Sequence, residues 1–268
     1  SPSDSGLSLG GILSQKLSIK KSYLSKYGLS PYLGPSFSYK EILNEIKDHK
    51  LNFTKHKNIA KNIAKEISKN KIVGVFVKRA EFGQRSLGHR SILANPKLKL
   101  SREIINQKVK RRDWFMPFAP AILDKYFSKF FNTNSPSLYM QKAEKINNYM
   151  KEKIPSAVHD DGTCRAQYVL KKFSKTFWNI INEFRKISGI PAVLNTSFNR
   201  HGISTIATPR QAIEHLLEGC LDVLYFDNIK ISLADNRKIK KTYSKKILPD
   251  EIKLKSHIKL WKKKISKI

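Results

Sequence analysis

Apolar and amphipathic stretches alternate along most of the chain. Short apolar stretches at residues 72–77 and 91–94 predict two buried strands. Between Ile59 and Ile67 an isoleucine recurs at every fourth position, which predicts an amphipathic helix over residues 54–70. Strands that alternate with helices in this way indicate an α/β protein.

Capping sequences mark the start of two further helices. Ser38 and Glu41 form a capping box for a helix that ends near residue 50, and Thr208 followed by Pro209 begins a helix that reaches residue 218. The other predicted elements are strands at 138–142, from 190, at 221–226 and at 229–233, a helix at 175–188, and a tail that is helical from 251.

The loop between the first two predicted strands carries the densest candidate chemistry. Its charged residues are Lys78, Arg79, Glu81, Arg85, His89 and Arg90. Cationic side chains and backbone N–H groups at the end of a strand bind phosphate or carboxylate, and Gly83 and Gly88 allow the backbone to approach closely. Glu81 is expected to pair with an arginine and position it. From the residues alone, a solvated basic loop is the alternative.

Two later stretches add cationic groups. Lys110 and Arg112 precede an aromatic, proline-containing strand, and they suit any polyanion. A turn at Asp161–Gly162 aims Arg165 along one face of the next strand, where it is a natural phosphate ligand. His159, just before this turn, is interpreted either as an acid–base group or, preferably, as a structural residue.

The strand from residue 190 ends in a polar turn. It delivers Asn195, Thr196, Ser197 and Asn199, whose amide and hydroxyl groups can bind nucleotide phosphates and ribose. An ordinary turn stabilised by these side chains is the alternative.

Taken in order, these stretches resemble the signatures of the nodulation-type and antibiotic-type O-carbamoyltransferases. The matching motifs are Arg79-x-Glu81-Phe82-Gly83-x-Arg85, Lys110-x-Arg112, His159-x-Asp161-Gly162-Thr163-x-Arg165-x-Gln167 and Asn195-Thr196-Ser197-Phe198-Asn199. The resemblance implies an α/β (α+β) fold, YrdC-like, with a twisted mixed sheet flanked by helices, over residues 37–235. Residues 1–36 are then a remnant of an actin-like N-terminal transferase domain with its linker, and residues 236–268 a lysine-rich tail.

The resemblance also implies roles for individual residues. The residues expected to be catalytic are Arg85, Lys110 and Arg165. Those expected to bind substrate or nucleotide are Arg79, Arg112, Asn195, Thr196, Ser197 and Asn199. Asp4 matches a family metal ligand whose partner residues are missing from this sequence, so no metal site is expected within it. The chain departs from the family at Met116, where the family has arginine, and at residues 203–205.

In this family the reaction of carbamoyl phosphate with ATP gives carbamoyl-adenylate, and the actin-like domain passes the carbamoyl group to a hydroxyl of a sugar or natural product. The resemblance therefore implies a carbamoyltransferase that performs the activation half. Its implied partners are ATP as substrate, magnesium bound to phosphate, the hydroxyl acceptor and the N-terminal transferase domain, which would hold iron or another metal. Two alternatives stay open, a basic module that binds RNA or another polyanion, and a threonylcarbamoyl-adenylate synthase for tRNA modification.

Composition changes this picture little. The formal charge is +31, from 52 basic and 21 acidic residues, and it suits an anionic partner. The lysines are scattered without interleaved aromatics or Arg-Gly repeats, so nucleic acid is the less favoured partner. No apolar run approaches the roughly 18 residues of a membrane span. The two cysteines show no metal or disulfide spacing, so a reducing cytoplasm is the predicted location.

Overall fold

The computed structural model describes residues 4–19, 30–132 and 137–246. Its strands are β1 (Thr54–Lys55), β2 (Val73–Phe76), β3 (Arg90–Ala94), β4 (Ala119–Leu123), β5 (Glu144–Lys145), β6 (Thr163–Cys164), β7 (Gln167–Val169), β8 (Ala192–Ser197), β9 (Val223–Phe226) and β10 (Ile229–Ser232). The large sheet has the order β1-β10-β9-β2-β3-β8-β4-β7, and β5 pairs with β6 in a separate ribbon. The β9–β2 and β4–β7 pairs are parallel and the others antiparallel, so the sheet is mixed.

Helices lie on both sides of this sheet. The α-helices are α1 (Asp4–Ile19), α2 (Tyr39–Asp48), α3 (Ile59–Ser68), α4 (Ser101–Ile105), α5 (Asn148–Lys153), α6 (Lys175–Ser188), α7 (Pro209–Leu217) and α8 (Arg237–Lys246). A π-helical turn, Asn106–Lys110, continues α4. Short 3-10 turns occupy Asp124–Lys129, Pro155–Ala157 and Ala234–Asn236.

The sheet is covered on both faces because its strands are apolar on both faces. In β2, Val73 and Val75 pack into the core that contains α3 and α6, whereas Phe76 packs into the core that contains α2 and α7. Side chains of a strand alternate between faces, so one short apolar run supplies both cores. The predicted mixed sheet flanked by helices is confirmed.

Four strands gather the sequence motifs at one end of the sheet. β3 and β4 both run antiparallel to β8, with Ser91 opposite Ser197 and Ala119 opposite Asn195. β7 runs parallel to β4. The segments that precede β3, β4 and β7 therefore meet the segment that ends β8.

Local predictions are confirmed where capping decides the element. Ser38 and Glu41 make reciprocal capping hydrogen bonds at the start of α2, and Thr208 does the same with Gln211 at α7. The helix predicted over residues 54–70 is wrong at its start. Asn58 caps α3 there, because the residues before it pair as an edge strand with β10.

Two other local predictions are also wrong. Residues 138–140 form a turn and a bend, residues 141–142 are irregular, and the nearest strand is β5, which begins at Glu144 and pairs with β6. The Asp-x-Gly sequence at residues 4–6, which favours a turn that leads into a helix, is instead already the first turn of α1, and a β-carbon added at Gly10 or Gly11 would meet no atom of another segment within 4 Å. The helix predicted from residue 251 lies outside the described residues. Across the described ranges, no helix combines the length and apolar character that crossing a membrane requires.

Candidate active site

A carboxylate holds the loop before β3 in place. Glu81 Oε1 accepts hydrogen bonds from the backbone N–H groups of Leu87 at 2.6 Å and His89 at 2.8 Å, and the Arg90 backbone N–H donates to Oε2 at 3.1 Å. The expectation that Glu81 pairs with an arginine side chain is therefore wrong. Its charge stabilises the folded loop, because an ionised carboxylate is a strong acceptor for several backbone donors.

Residues of the linker before α2 and of the start of α6 contact this loop through the His89 ring. The His89 ring contacts the Arg79 carbonyl oxygen through Nδ1 at 2.7 Å and the Ser174 hydroxyl through Nε2 at 2.9 Å. Tyr32 stacks on the same ring, with 3.8 Å between ring centroids. Burial lowers the pKa of His89. The loop is thus anchored by residues from two other segments of the chain.

A cavity of about 100 Å³ lies where the four motifs meet; we call it the small cavity. Its four cationic side chains come from the loop before β3, the π-helical turn, the segment after that turn and the segment before β7. The predicted site residues that line it are Arg85, Lys110, Arg112, Arg165, Asn195, Thr196 and Ser197. The structure therefore brings together seven residues that the sequence placed in four separate motifs.

Among the described residues, the arginines of the small cavity have no acidic partners. Within the described ranges, no ion pair involves Arg85, Arg112 or Arg165. Burial lowers the pKa of Arg165, and the nearby charges of Arg85 and Arg112 lower it further. Burial also lowers the pKa of Arg112, whose Nε donates to the side-chain oxygen of Asn106 at 2.8 Å. Like charges held together in this way favour the binding of an anion.

Lys110 is held by the turn that follows β8. Its buried Nζ lies 2.7 and 2.9 Å from the main-chain and hydroxyl oxygens of Ser197, and 3.0 and 2.6 Å from the main-chain and side-chain oxygens of Asn199. Burial, and then the charge of Arg112, lower the pKa of Lys110 to about 7. The four surrounding oxygens oppose this shift, because they favour the ammonium form. Ser197 and Asn199, predicted as nucleotide ligands, thus have Lys110 as a partner.

A second, larger cavity of about 530 Å³ adjoins the first; we call it the large cavity. Four residues line both cavities: Gln84, Arg85, Ser86 and Ser197. Asn199 lines only the large one. Residues 80–86 and 203–207 supply most of its lining. Its volume falls within the range of about 300–1,000 Å³ that is typical of ligand pockets, and the small cavity lies well below that range.

Several residues singled out from the sequence lie elsewhere. Arg79 lines neither cavity and donates to two backbone carbonyl oxygens of the linker, at 2.6 and 3.1 Å. Its role in substrate binding stays a prediction. His159 contacts the Thr163 hydroxyl at 3.0 Å within its own turn, and Met116 lines neither cavity. Asp4 begins α1, and its side chain lies outside the described residues.

Residues that support the site were not predicted from the sequence. Ser86 lines both cavities, and its position next to the predicted site residue Arg85 in a glycine-containing loop was the available signal. Asn106 donates to the carbonyl oxygens of Trp114 at 2.9 Å and Met116 at 2.8 Å, for which no local signal exists. In the described part of the chain, no group of three or more His, Cys, Asp or Glu residues is arranged to hold a metal ion.

Comparison with known proteins gives these motifs a family. A family model described as Carbamoyltransferase C-terminus matches residues 64–232. The uncharacterized protein MJ1058 of Methanocaldococcus jannaschii is 35% identical over 202 residues, which cover 74% of this chain and 33% of that protein. Nodulation protein NolO of Bradyrhizobium diazoefficiens is 30% identical over 228 residues, 82% of this chain and 41% of NolO. The chain thus spans less than half the length of these relatives.

Among solved structures, full-length HypF in its phosphate- and nucleotide-bound form is 18% identical, with a TM-score of 0.43, and the match covers 65% of this chain and 22% of HypF. That TM-score is too low for the arrangement of the HypF site to be transferred to this chain. The family model, in contrast, covers more than half of the sequence and all four motifs. The chain therefore belongs to the carbamoyltransferase C-terminus family.

Proposed function

We propose that this chain forms carbamoyl-adenylate from carbamoyl phosphate and ATP, as the activating half of an O-carbamoyltransferase. The observation that carries this proposal is the pair of adjoining cavities. One holds Arg85, Lys110, Arg112 and Arg165, which have no acidic partners in the described part of the chain, and the other has the volume of a nucleotide-sized ligand. Membership of the carbamoyltransferase C-terminus family supports the same reaction.

The size and charge of the two cavities support a different ligand for each of them. The small cavity suits a small, doubly charged anion, because its arginines offer paired N–H donors to phosphate oxygens. The large cavity has both polar and apolar lining, which suits a nucleoside with its phosphates. Arg85 lines both, so we assign it to the point where the carbamoyl group meets the α-phosphate of ATP.

The reaction balances with one water molecule. Water releases phosphate from carbamoyl phosphate, and an oxygen of the resulting carbamate attacks the α-phosphorus of ATP, which expels pyrophosphate. Negative charge develops on the phosphoryl oxygens in both steps. Cationic groups already held in position stabilise that charge without reorganising, which is why Arg85, Lys110 and Arg165 are our candidates for catalysis.

Transfer of the carbamoyl group to a hydroxyl acceptor is assigned, in this proposal, to the actin-like domain of the family. Magnesium would reach the site with ATP; no described cluster of acidic residues provides a separate place for it. Asp4 and a metal in the transferase domain belong to that second half of the reaction.

The test is an adenylation assay with the purified chain. With ATP and carbamoyl phosphate, we expect pyrophosphate release that depends on carbamoyl phosphate, and carbamoyl-adenylate detected by mass spectrometry. Arg85→Ala should lower kcat/KM by roughly 10- to 150-fold, the equivalent of one charged hydrogen bond of about 1.5–3 kcal/mol. Arg210→Gln is the matched control, because Arg210 pairs with Glu45 at 3.3 Å and lines neither cavity.

The alternatives are outcomes of the same assay. Product formed with threonine and bicarbonate, but not with carbamoyl phosphate, would assign the chain to threonylcarbamoyl-adenylate synthesis. Tight binding of RNA that persists at raised salt, without any adenylate, would favour a polyanion-binding module. Either result contradicts the proposal.

A further inference from the structure

Two amide side chains and two backbone carbonyl groups form a chain of hydrogen bonds beside the small cavity. Gln167 Nε2 donates to the Leu87 carbonyl oxygen at 3.0 Å. Asn195 Nδ2 donates to Gln167 Oε1 at 2.9 Å and to the Ser86 carbonyl oxygen at 3.0 Å. A carbonyl oxygen can only accept, so the two backbone groups determine which end of each amide faces which neighbour. The orientation of Asn195 is therefore set by the backbone of the loop.

This arrangement leaves one acceptor over. Asn195 uses its NH2 group for both bonds, and the residue as a whole is only 1% exposed. Within the described residues, neither Asn195 Oδ1 nor the buried Ser86 hydroxyl has a hydrogen-bond partner. Both residues line the small cavity. Because buried polar atoms are nearly always paired in proteins, these atoms indicate a ligand or water beside them.

The cationic lining of the small cavity requires a hydrogen-bond acceptor, whereas Asn195 Oδ1 requires a donor. The guanidinium groups of Arg85, Arg112 and Arg165 are donors only, and phosphate oxygens accept from them. They cannot use the N–H group that Asn195 Oδ1 requires. A ligand that satisfies the whole lining has a phosphate at one end and an N–H donor at the other. Carbamoyl phosphate has both, whereas acetyl phosphate has a methyl group in place of the amine.

We propose that Asn195 Oδ1 accepts a hydrogen bond from the carbamoyl NH2 group and selects carbamoyl groups against acyl groups of the same size. Gln167 is the positioning residue, because it holds the Asn195 amide in the orientation that presents Oδ1. A methyl group against Oδ1 leaves a buried acceptor unpaired, and a site built to receive a donor discriminates against ligands without one. This inference rests on the proposed function, and it identifies Asn195 Oδ1 as the atom that selects the carbamoyl group.

The experiment compares two stable phosphonates that differ only in this group. Phosphonoacetamide carries the amide NH2, and 2-oxopropylphosphonate carries a methyl group in its place. Their affinities for the full chain are measured by isothermal titration calorimetry without nucleotide, with sulfate as a third probe. We expect the amide to bind about tenfold more tightly than the methyl ketone, as one additional neutral hydrogen bond predicts. In Asn195→Ala this ratio should fall to about one, and the sulfate titration of the same variant reports whether its anion site is still formed.

Each outcome decides something different. Equal binding of the two phosphonates to the wild-type chain overturns the inference without any variant, and leaves the anion site of the proposed function intact. An unchanged ratio in an Asn195→Ala protein that still binds sulfate also overturns it, and would assign the unpaired oxygen to water. If the wild-type chain binds neither phosphonate nor sulfate, the proposed function itself fails.

Discussion

Replacing Arg165 with glutamine tests whether this arginine serves anion binding or the stability of the fold. Arg165 lines the small cavity, where burial and the charges of Arg85 and Arg112 lower its pKa. No described carboxylate pairs with it. Without ligand its charge is therefore unfavourable, and Arg165→Gln should leave the free energy of unfolding unchanged or raise it by up to about 1 kcal/mol, the scale of partly exposed charge interactions.

The same substitution should weaken anion binding. A hydrogen bond between charged groups contributes about 1.5–3 kcal/mol, which corresponds to a roughly 10- to 150-fold loss of affinity for sulfate. Chemical denaturation without ligand gives the change in stability, and calorimetric titration with sulfate gives the change in affinity. The free energy of unfolding is thus expected to stay the same or rise while the sulfate affinity falls.

Arg210→Gln provides the contrast. It removes an exposed ion pair with Glu45, so we expect a stability loss of between zero and about 1 kcal/mol and unchanged sulfate affinity. If Arg165→Gln instead destabilised the protein more than the control and kept wild-type sulfate affinity, Arg165 would be a structural residue and the electrostatic reasoning would be refuted.

Three further predictions concern the surroundings of the site. Sulfate affinity should fall as pH rises from about 6 to about 9, because burial lowers the pKa of Lys110 to about 7 and the cavity loses that charge above it; titration calorimetry across this range checks it. Gly88→Ala should destabilise the fold by at least about 2 kcal/mol, since Gly88 has φ +114° and a β-carbon would lie 2.2 Å from the Phe177 ring; urea unfolding measures this. Tyr32→Phe should cost about 0.5–1.5 kcal/mol by the same measurement, because its hydroxyl donates to the Leu87 carbonyl oxygen at 2.9 Å.

Each of these three has a control. Lys110→Met removes the titrating group, so its sulfate affinity should be lower at acidic pH and nearly independent of pH. A pH slope as steep as that of wild type would contradict the assignment. Gly10→Ala, in the open part of α1, should be neutral or stabilising by up to about 1 kcal/mol. Tyr32→Leu removes the stacking on His89 as well as the hydroxyl, and it should cost more than Tyr32→Phe.

Local features of the sequence determined most of the secondary structure. The caps at Ser38 and Thr208 act over three residues, so their hydrogen-bond partners can be read directly from the sequence. The strand at residues 72–77 is similar, because an apolar run of that length between polar loops must be buried. The failures at residues 54–55 and 138–142 have a common cause. Whether a short segment becomes a strand depends on its partner strand. β10 pairs with residues 54–55, and β6 pairs with residues 144–145 instead of 138–142, so both outcomes depend on other parts of the chain.

The motifs likewise contained the chemistry of the site but not its arrangement. Arg79 and Arg85 belong to one motif and look equivalent in the sequence, yet only Arg85 lines the cavities, because Arg79 is bonded to the linker. The sequence treated Lys110 and Asn199 as two separate ligands, and the structure makes them partners. Residue types and motif order are local information. Which side chains are satisfied by the protein, and which, like Asn195 Oδ1, are left over, depends on the packing of β3, β8, β4 and β7, so only the tertiary structure decides it.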